Sequence, residues 1–410
     1  MNKGIIYNYI VVGGGASGLF FATNIDASGA PTEWREMPKG VSNAPSLILE
    51  KTERPGIKLL MSGGGRCNIT HEGSIKDFVP RYGENGKRIR RILYRHNNLE
   101  LIDWLSKNGI DTISEDDGRV FPASQRASDV LDLLLKKARE NGFEIKTNSA
   151  VTAIKRNGEL WRVHTDNAYY DGRRIIIATG GCSYPKTGSD GSMFNVLRRD
   201  LNLEITELSP ALSPISVRDY PYADLSGISI DGAVSTYTNQ KKKSIGKILF
   251  THNGLSGPAI INISGSISTG DIILINYLYP MDYDAAFRKL QAATLGSKAQ
   301  LANIASEVFG LPKNLCRTLG NRAGTSTKAF AKLLTEDMFT VENPGSFDMA
   351  MVTRGGVSLD EVDLSTLESL KCPGIFIIGE ALDVDGETGG YNLQFAYSSA
   401  LCAALAYSQA

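Results

Sequence analysis

The amino-acid sequence predicts an α/β fold built on a parallel β-sheet of the Rossmann type. Three observations predict it. Residues 9–12 form a short apolar run that ends at a glycine turn and leads into a helix-like segment. Residues 46–49 form a second apolar run, which ends at an acidic residue. Two later apolar runs, residues 174–177 and 375–378, also end in glycine-containing turns. Such strands, alternating with helical segments, are typical of a parallel sheet covered by helices.

The first strand leads into the glycine turn GGGASG, a match to the G-x-G-x-x-G pattern in its required context of strand, turn and helix. Gly13 permits a tight turn, and Gly15 lets backbone N–H groups approach a pyrophosphate. Gly18 lets the helix lie close to the strand. The N-terminus of the helix, at Ala16 and Ser17, favours a negative charge. The turn therefore predicts a dinucleotide site.

The second strand supplies the acidic partner that such a site requires for the ribose. Glu50 ends this strand, although it lies further beyond Gly18 than is usual. The excess is residues 27–45, which are rich in Gly, Pro, Ser and Asn, and we interpret them as a surface insertion. With Glu50 in place the pattern predicts dinucleotide binding; the alternative is a glycine-rich turn without a ligand.

The C-terminal part of the chain favours FAD over NAD. A buried strand ends in Gly379 and Glu380, and a carboxylate at this point can hydrogen-bond a ribityl chain. A Gly-Gly turn then opens a long helix, whose free N–H groups suit the N1–C2=O edge of a reduced flavin. A simple NAD dehydrogenase needs no such second half. The predicted contacts in this segment are Gly379, Glu380, Asp383, Gly389, Gly390, Tyr391, Asn392 and Leu393.

A third segment returns the chain towards the adenosine and pyrophosphate. Residues 143–151 and 160–165 alternate like the strands of a hairpin, and the strand at 174–177 follows them. That strand ends in Ala178, Thr179 and Gly180, which we expect to contact the cofactor. Val151 is expected to contact the adenine through its backbone.

Composition limits the classes of partner. The length of 410 residues suggests two or three domains. Lys plus Arg and Asp plus Glu number 44 each, so the formal charge is zero and makes nucleic acid an unexpected partner. We interpret the basic run at residues 87–95 as the solvated face of a helix. No apolar run reaches the roughly 18 residues of a membrane span, so no membrane partner is expected.

The five cysteines are scattered, and no C-x-x-C pair occurs. This spacing indicates neither a zinc site nor a dithiol redox site. Reduced thiols and a cytoplasmic location are the simple interpretation.

Seven segments together carry a resemblance to a known family. They are VVGGGASG, KLLMSGGGRCNIT, GRVFPAS, IIIATGGCSYPKTGSDG, GKILFTHNGLSGPAI, TRGGVSLDEVDLSTLES and GIFIIGEALDVDGETGGYNLQFAYSSA, in this order. The chain resembles the aminoacetone-oxidase-like, or BaiN-like, FAD-binding flavoproteins over residues 11–400. The resemblance implies a Rossmann-like FAD-binding domain, glutathione-reductase-like in type, interrupted by a β-barrel-like insert and a helical insert. The domains that we infer are residues 1–200 with 351–410, 201–281 with 338–350, and 282–337.

The resemblance also explains the unusual segment SGGGRCN as a second loop that contacts FAD. Glycines let the backbone pass close to a cofactor, and the arginine and asparagine supply hydrogen-bond donors. Cys67 has two interpretations: a redox or nucleophilic thiol beside the flavin, or a small residue packed there. The expected contacts in this region are Lys51, Lys58, Ser62, Gly63, Gly64, Arg66, Cys67 and Asn68.

The function expected from these features is that of an FAD-dependent oxidoreductase. It would transfer a hydride at flavin N5 to or from a small organic substrate, with NADH or NADPH as the candidate donor. Family members are linked to amine oxidation and to reduction of steroid-like enones. An O2-using amine oxidase is therefore one alternative, and a non-catalytic flavin-binding or RNA-associated module is another. His252, Cys67 and Tyr184 are candidate catalytic residues without an assigned role, and no metal site is expected.

Overall fold

The computed structural model describes residues 4–25, 44–237 and 242–406. The chain divides into two compact units. Unit 1 comprises residues 1–209 and 352–410, and unit 2 comprises residues 210–351. The predicted surface insertion at residues 27–45 lies, except for its last two residues, outside the described residues.

The strands of the described residues follow in chain order. They are β1 (Ile6–Val12), β2 (Ser46–Leu49), β3 (Thr70–His71), β4 (Thr112–Ser114), β5 (Arg119–Pro122), β6 (Phe143–Lys146), β7 (Val151–Asn157), β8 (Leu160–Thr165), β9 (Tyr169–Ile177), β10 (Ser209–Ala211), β11 (Ser216–Val217), β12 (Ser229–Thr236), β13 (Lys243–Phe250), β14 (Leu255–Ser256), β15 (Ile272–Asn276), β16 (Asp337–Asn343), β17 (Val352–Arg354) and β18 (Ile375–Ile377).

The α-helices of the same residues are interleaved with these strands. They are α1 (Ala16–Asn24), α2 (Ile57–Met61), α3 (Ile75–Phe78), α4 (Gly86–Arg95), α5 (Asn98–Lys107), α6 (Ala127–Glu140), α7 (Ser192–Leu201), α8 (Pro258–Ser264), α9 (Tyr283–Thr294), α10 (Leu301–Phe309), α11 (Lys313–Ala323), α12 (Thr327–Thr335) and α13 (Tyr391–Ala404).

The main sheet of unit 1 runs in the order β6-β2-β1-β9-β8-β7, with β18 also paired to β9. Strands β6, β2, β1, β9 and β18 are parallel. Val12 lies opposite both Leu49 and Ile177, and Ile177 lies opposite Ile377, so these strands end at one edge. Strands β2 and β18 are wholly buried, as in a parallel sheet that is covered on both faces. Helix α1, apolar and buried almost all round, packs against α13 and α6.

The hairpin in this sheet differs from the one predicted. Residues 143–151 were expected to pair with 160–165, but β6 instead pairs in parallel with β2 at the sheet edge. The hairpin partner of β8 is β7, and Asn157 lies opposite Leu160. Gly158, with φ of 64°, supplies the left-handed residue that this two-residue connection requires. The turn between the strands, and not their alternation, therefore determines the pairing.

The sheet of unit 2 is antiparallel and runs in the order β11-β16-β15-β12-β13-β14. An isolated bridge between Ile215 and Leu255 joins its two ends, with reciprocal backbone hydrogen bonds of 3.0 and 2.9 Å. This bridge makes the sheet a near-barrel. Helices α9 to α12 follow β15 and share one apolar core with the sheet. The predicted fold class, with its barrel-like and helical inserts, is therefore confirmed.

Unit 2 also contains a buried charged cluster around Asp337, whose side chain is fully buried. Arg322 donates to both of its carboxylate oxygens, at 2.8 and 3.0 Å. The hydroxyls of Tyr277 (2.8 Å) and Tyr222 donate to it as well. Buried charges are stable in proteins when paired and hydrogen-bonded in this way. The cluster thus ties α11 to the first residue of β16.

Among the described residues, no helix is both long and apolar enough to cross a membrane.

Candidate cofactor site

The carboxyl ends of the parallel strands in unit 1 bring together four of the predicted segments. The glycine turn follows β1, Glu50 follows β2, and residues 178–180 follow β9. Residues 379 and 380 come just after β18. In open α/β sheets ligands bind outside this edge. The segments that the sequence places far apart therefore meet at one candidate site.

Two glycines of the turn are required by the protein itself. Gly13 has φ of 106°, and a Cβ on it would lie 2.5 Å from the Ala178 carbonyl oxygen. A Cβ on Gly18 would lie 2.2 Å from the Gly13 carbonyl oxygen. Both distances are too short for non-bonded atoms, so these residues allow the tight turn and the close packing of α1 expected from the sequence.

Gly15 differs from its neighbours in the turn. Its φ of −80° is open to any residue, and the nearest atom to an added Cβ is the Ala178 oxygen at 4.0 Å. The protein itself therefore leaves a space in front of Gly15. Helix α1 begins directly after it, and the amides of its first turn have no partner within the helix. A space beside free N–H groups fits the diphosphate of a dinucleotide.

Glu50 is buried and braces the turn. Its Oε2 accepts from the Gly14 N–H (2.9 Å), and its Oε1 accepts from the N–H and hydroxyl of Thr52, both at 2.8 Å. Its backbone oxygen accepts from the Ser149 N–H (2.9 Å), which brings the start of β7 and Val151 towards the same end. The carboxylate can still accept one ribose hydroxyl, because Oε2 has used only one of its two lone pairs.

Lys51 lies beside Glu50 and forms an ion pair with Asp190. It also donates to the Ser192 hydroxyl at 3.2 Å. Burial alone would raise the pKa of Asp190, but the hydrogen bonds from Lys51 and Ser192 outweigh it and hold that pKa below its usual value. Lys51 thus fastens the loop after β9 to the end of β2.

The segment SGGGRCN forms a tight left-handed turn. Gly63, Gly64 and Gly65 have φ of 57°, 68° and 87°, and Cys67 has φ of 64°. Three glycines in succession are suited to this conformation, because it strains residues that carry a side chain. No atom lies within 4 Å of a Cβ on Gly64, so the backbone there is open to a ligand.

The side chains of this turn point to protein partners. Arg66 donates to Glu115 (2.6 Å) and Gln125 (3.1 Å), and its guanidinium lies 4.2 Å from the centre of the Phe121 ring. The Asn68 amide is oriented with its oxygen towards the backbone of Gly390. In this orientation the oxygen accepts a hydrogen bond of 3.0 Å from the Gly390 N–H. Asn68 therefore joins the turn to the start of α13.

Cys67 is completely buried. Burial raises the pKa of its thiol to about 12, and a hydrogen bond with Ser62 offsets only part of this rise. Because the thiolate is the nucleophilic and redox-active form, a thiol with this pKa is inert near neutral pH. The packed, structural interpretation of Cys67 is favoured.

Glu380 and Lys58 form an ion pair at the end of β18. The Lys58 Nζ donates to Glu380 Oε2 at 2.7 Å and to the Ser183 hydroxyl at 2.6 Å. Glu380 Oε1 accepts from the Ser183 hydroxyl (3.0 Å) and from the Thr353 N–H (2.8 Å). Both predicted residues are thus held in one network.

The start of α13 is enclosed by aromatic rings. Tyr391 is stacked on His71, with ring centroids 5.3 Å apart and planes at 14°.

The Asn392 amide exchanges two hydrogen bonds of 2.8 Å with the backbone of Gly386. Burial raises the pKa of Asp383, against a hydrogen bond with Thr206 that lowers it. Gly389, Gly390 and Leu393 lie in the same segment.

The catalytic candidates belong to different units of the chain. His252 belongs to unit 2, where it is exposed in a turn that Thr251 closes by donating to the Gly254 carbonyl. Tyr184 has φ of 53° and precedes a 3-10 turn at Pro185–Thr187. The hydrogen bonds of the described residues give neither side chain a catalytic partner.

Sequence reasoning missed three residues of the site. They are Ser183 and Thr353, which hold Glu380, and His71, which stacks on Tyr391. A signal existed for Ser183, since it lies three residues after Gly180 in the glycine- and serine-rich segment at 180–191. Nothing in the sequence indicated the contact of Thr353 with Glu380, because it is made by the backbone N–H.

Comparison with known families decides the class of this chain. The model of the HI0933-like protein Rossmann domain matches residues 7–406. The chain belongs to the HI0933-like family. Membership of this family confirms the predictions of an FAD cofactor and of an oxidoreductase.

Curated relatives match this family member along nearly its whole length. One is the 3-dehydro-bile acid delta(4,6)-reductase of Clostridium scindens, which is 29% identical over 97% of this chain and 98% of its own. Another is the ribosomal RNA dihydrouridine synthase of Escherichia coli, which is 26% identical over 96% of each chain. A synthase of the same name from Haemophilus influenzae is 27% identical over 98% of each.

Solved structures share the fold of this family member at low sequence identity. A 3-ketosteroid-delta4-(5alpha)-dehydrogenase from Rhodococcus jostii RHA1 has a TM-score of 0.50 and 13% identity, covering 98% of this chain and 97% of its own. A 3-ketosteroid delta1-dehydrogenase from Sterolibacterium denitrificans has a TM-score of 0.51 and 12% identity, covering 98% and 99%. These likenesses show the fold.

Proposed function

We propose that this protein is an FAD-dependent reductase that saturates a C=C bond conjugated to a carbonyl group. One observation carries the proposal: the names of its full-length relatives describe that chemistry on two different substrates. A delta(4,6) unsaturated bile acid oxidised at C3 is a conjugated ketone. Formation of dihydrouridine saturates the uracil C5=C6 bond, which is conjugated to the C4 carbonyl. We therefore expect this protein to act on the same class of bond.

We propose that FAD lies along the carboxyl edge of the unit 1 sheet. The space before Gly15 suits its diphosphate, and Glu50 suits its adenosine ribose. The open backbone at Gly64 and the start of α13 suit the flavin half. When bound, FAD supplies the two-electron chemistry, so the task of these residues is to bind and orient it. Since the relatives named above are a reductase and synthases, the reductase ranks ahead of an amine oxidase.

A reduction assay tests this proposal. We expect NADH or NADPH, added without oxygen, to bleach the absorbance of the bound oxidised flavin rapidly. A 3-oxo-Δ4 steroid should then restore the absorbance, with one equivalent of saturated ketone formed for each flavin. The matched control is a steroid with the same carbonyl but no C=C bond, which should leave the flavin reduced. Bleaching by primary amines but not by NAD(P)H, with hydrogen peroxide formed in air, would instead support the oxidase.

A second candidate substrate is a uridine in RNA, and one surface favours it. Helix α4 buries Ile89, Ile92 and Leu93 and exposes a basic face. Among the described residues no salt bridge neutralises four cations of that face, whereas its neighbour Arg88 is paired with Asp360 at 2.6 Å. Unpaired cations on one helix face suit a phosphate backbone. These four cations are Lys87, Arg90, Arg91 and Arg95.

Charge reversal on α4 tests the RNA candidate. The variant Arg90→Glu with Arg91→Glu should bind a uridine-containing RNA hairpin at least tenfold more weakly. The slope of the logarithm of the binding constant against the logarithm of the salt concentration should become shallower by about one unit for each phosphate that the variant no longer binds. Flavin reduction by NAD(P)H should be unchanged. Lys136→Glu, an exposed cation on α6, is the control and should bind like the wild type. Equal binding by all these proteins would remove the RNA candidate.

We also propose a cytoplasmic location. All five cysteines are free. Proteins that carry unpaired cysteines in this number are typical of reducing compartments.

A further inference from the structure

The Lys58–Glu380 pair is hydrogen-bonded to two buried residues and is itself partly exposed. Ser183 and Thr353, which bind Glu380, are fully buried. The Lys58 and Glu380 side chains are 26% and 20% exposed. The carboxylate has three protein donors, and the ammonium group of Lys58 has used two of its three protons. The pair is therefore fixed in position but still open towards solvent or a ligand.

The pair also lies within the candidate cofactor edge. A Cβ on Gly181, which ends the turn after β9, would be 3.1 Å from Glu380 Oε1. A Cβ on Gly379, the residue before Glu380, would be 2.6 Å from the hydroxyl of Ser17 in the first turn of α1. Glu380 thus adjoins both the β9 turn and the N-terminal end of α1.

We propose that Lys58 and Glu380 form a charge-balanced pair, in which each charge offsets the effect of the other on the reduction potential of bound FAD. Reduction by two electrons adds negative charge to the flavin ring, so a nearby cation favours the reduced form and a nearby anion opposes it. While the pair is intact the two effects nearly cancel, because the opposite charges are 2.7 Å apart. Removing one partner leaves the other charge uncompensated, and because that side chain is only 26% or 20% exposed, water screens its charge incompletely. The inference rests on FAD lying at this edge and does not depend on the substrate.

Single replacements should therefore shift the midpoint potential in opposite directions. Glu380→Gln leaves the Lys58 cation and should raise the potential of bound FAD, whereas Lys58→Met leaves the carboxylate and should lower it. We expect each shift to be at least tenfold in the reduction equilibrium, about 30 mV for a two-electron couple. The double variant should return close to the wild-type value. The potential is measured by equilibrating the holoprotein, after unbound FAD has been removed, with a dye of known potential.

Two controls separate charge from structure. Lys58→Arg keeps the cation and should keep the potential. Asp171→Asn breaks a second pair in unit 1, formed with Arg162 at 2.8 Å and with similar exposure of 31% and 19%. That pair lies away from the carboxyl edge, since Asp171 is opposite Ile6 at the start of β1, so the potential should not change.

Shifts in the same direction for Glu380→Gln and Lys58→Met would overturn the proposal. An unchanged potential accompanied only by weaker FAD binding would also overturn it, because the pair would then serve only to hold the structure together. If the single variants fail to retain FAD, the midpoint potentials of the double variant and of Lys58→Arg test the proposal instead. A double variant or a Lys58→Arg variant with a shift of tenfold or more would contradict charge balance. None of these outcomes depends on turnover, so a wrong substrate class leaves the test intact.

Discussion

Replacing Gly15 with valine should give a folded protein that binds no FAD. The nearest protein atom to a Cβ at this position is 4.0 Å away, and the extended backbone, with φ of −80° and ψ of −172°, suits a β-branched residue. The free energy of unfolding of the cofactor-free protein should therefore change by no more than about 1 kcal/mol. The added methyl groups would occupy the space through which a diphosphate approaches the amides of α1. The purified variant should be colourless and stay so when FAD is added.

Gly18→Ala is the matched variant for this experiment, since it lies in the same turn. Its Cβ would lie 2.2 Å from the Gly13 carbonyl oxygen, so α1 would have to move away from β1. We expect it to destabilise the cofactor-free protein by about 1–3 kcal/mol, as overpacking does. The pair thus separates a position needed by the ligand from one needed by the fold. A yellow, fully loaded Gly15→Val variant would show that the diphosphate does not pass this residue.

Asp337→Ala should produce the largest loss of stability among these variants. It leaves the guanidinium of Arg322 and the hydroxyl of Tyr277 without their buried acceptor. Breaking a buried ion pair by removing one partner costs about 3–5 kcal/mol. The free energy of unfolding of unit 2, followed by urea denaturation, should fall by that amount. The transition of unit 2 can be followed separately only if the two units unfold apart, so the measurement begins with a test for two transitions.

Asp282→Ala provides the scale for the Asp337 result. Asp282 caps α9 in the same unit by accepting from the Ala285 N–H (2.8 Å), and loss of such a cap costs about 1 kcal/mol. A double replacement, Asp337→Leu with Arg322→Met, should recover part of the loss, because no charge is then left unpaired. An Asp337→Ala variant no less stable than Asp282→Ala would show that the cluster contributes little net stability.

The parallel sheet and its glycine turns were predictable because their signals are local. Residues 9–12 and 46–49 are runs of strand length, and two glycines that follow the first run, Gly13 and Gly18, carry a steric requirement that is visible in the structure. Glu50 was identified from its position at the end of the second strand, in spite of its unusual spacing, and the hydrogen bond from the Gly14 N–H to its carboxylate shows that it lies beside the glycine turn. The signals for each strand and for its turn are encoded within a few residues of one another.

Contacts between distant segments were not predictable in the same way. Lys58 and Glu380 are separated by 322 positions, and nothing in either segment names the other as its partner. Likewise, apolar and polar residues alternate in both β6 and β7. This pattern indicates which side chains of a strand are buried but not which other strand lies alongside it. Only the left-handed Gly158 distinguishes the true hairpin. Ion pairs and strand order depend on the assembled fold, so a single sequence leaves them open.

The bridge between Ile215 and Leu255 has a consequence for the behaviour of unit 2 towards other chains. An open sheet with β11 and β14 at its ends would offer two rows of unpaired backbone groups to any passing strand. Because the bridge joins these ends, the backbone groups of Ile215 and Leu255 are hydrogen-bonded within one molecule. Closure at this point removes these two positions from pairing with the strand of another chain, a route to aggregation that an open antiparallel insert offers.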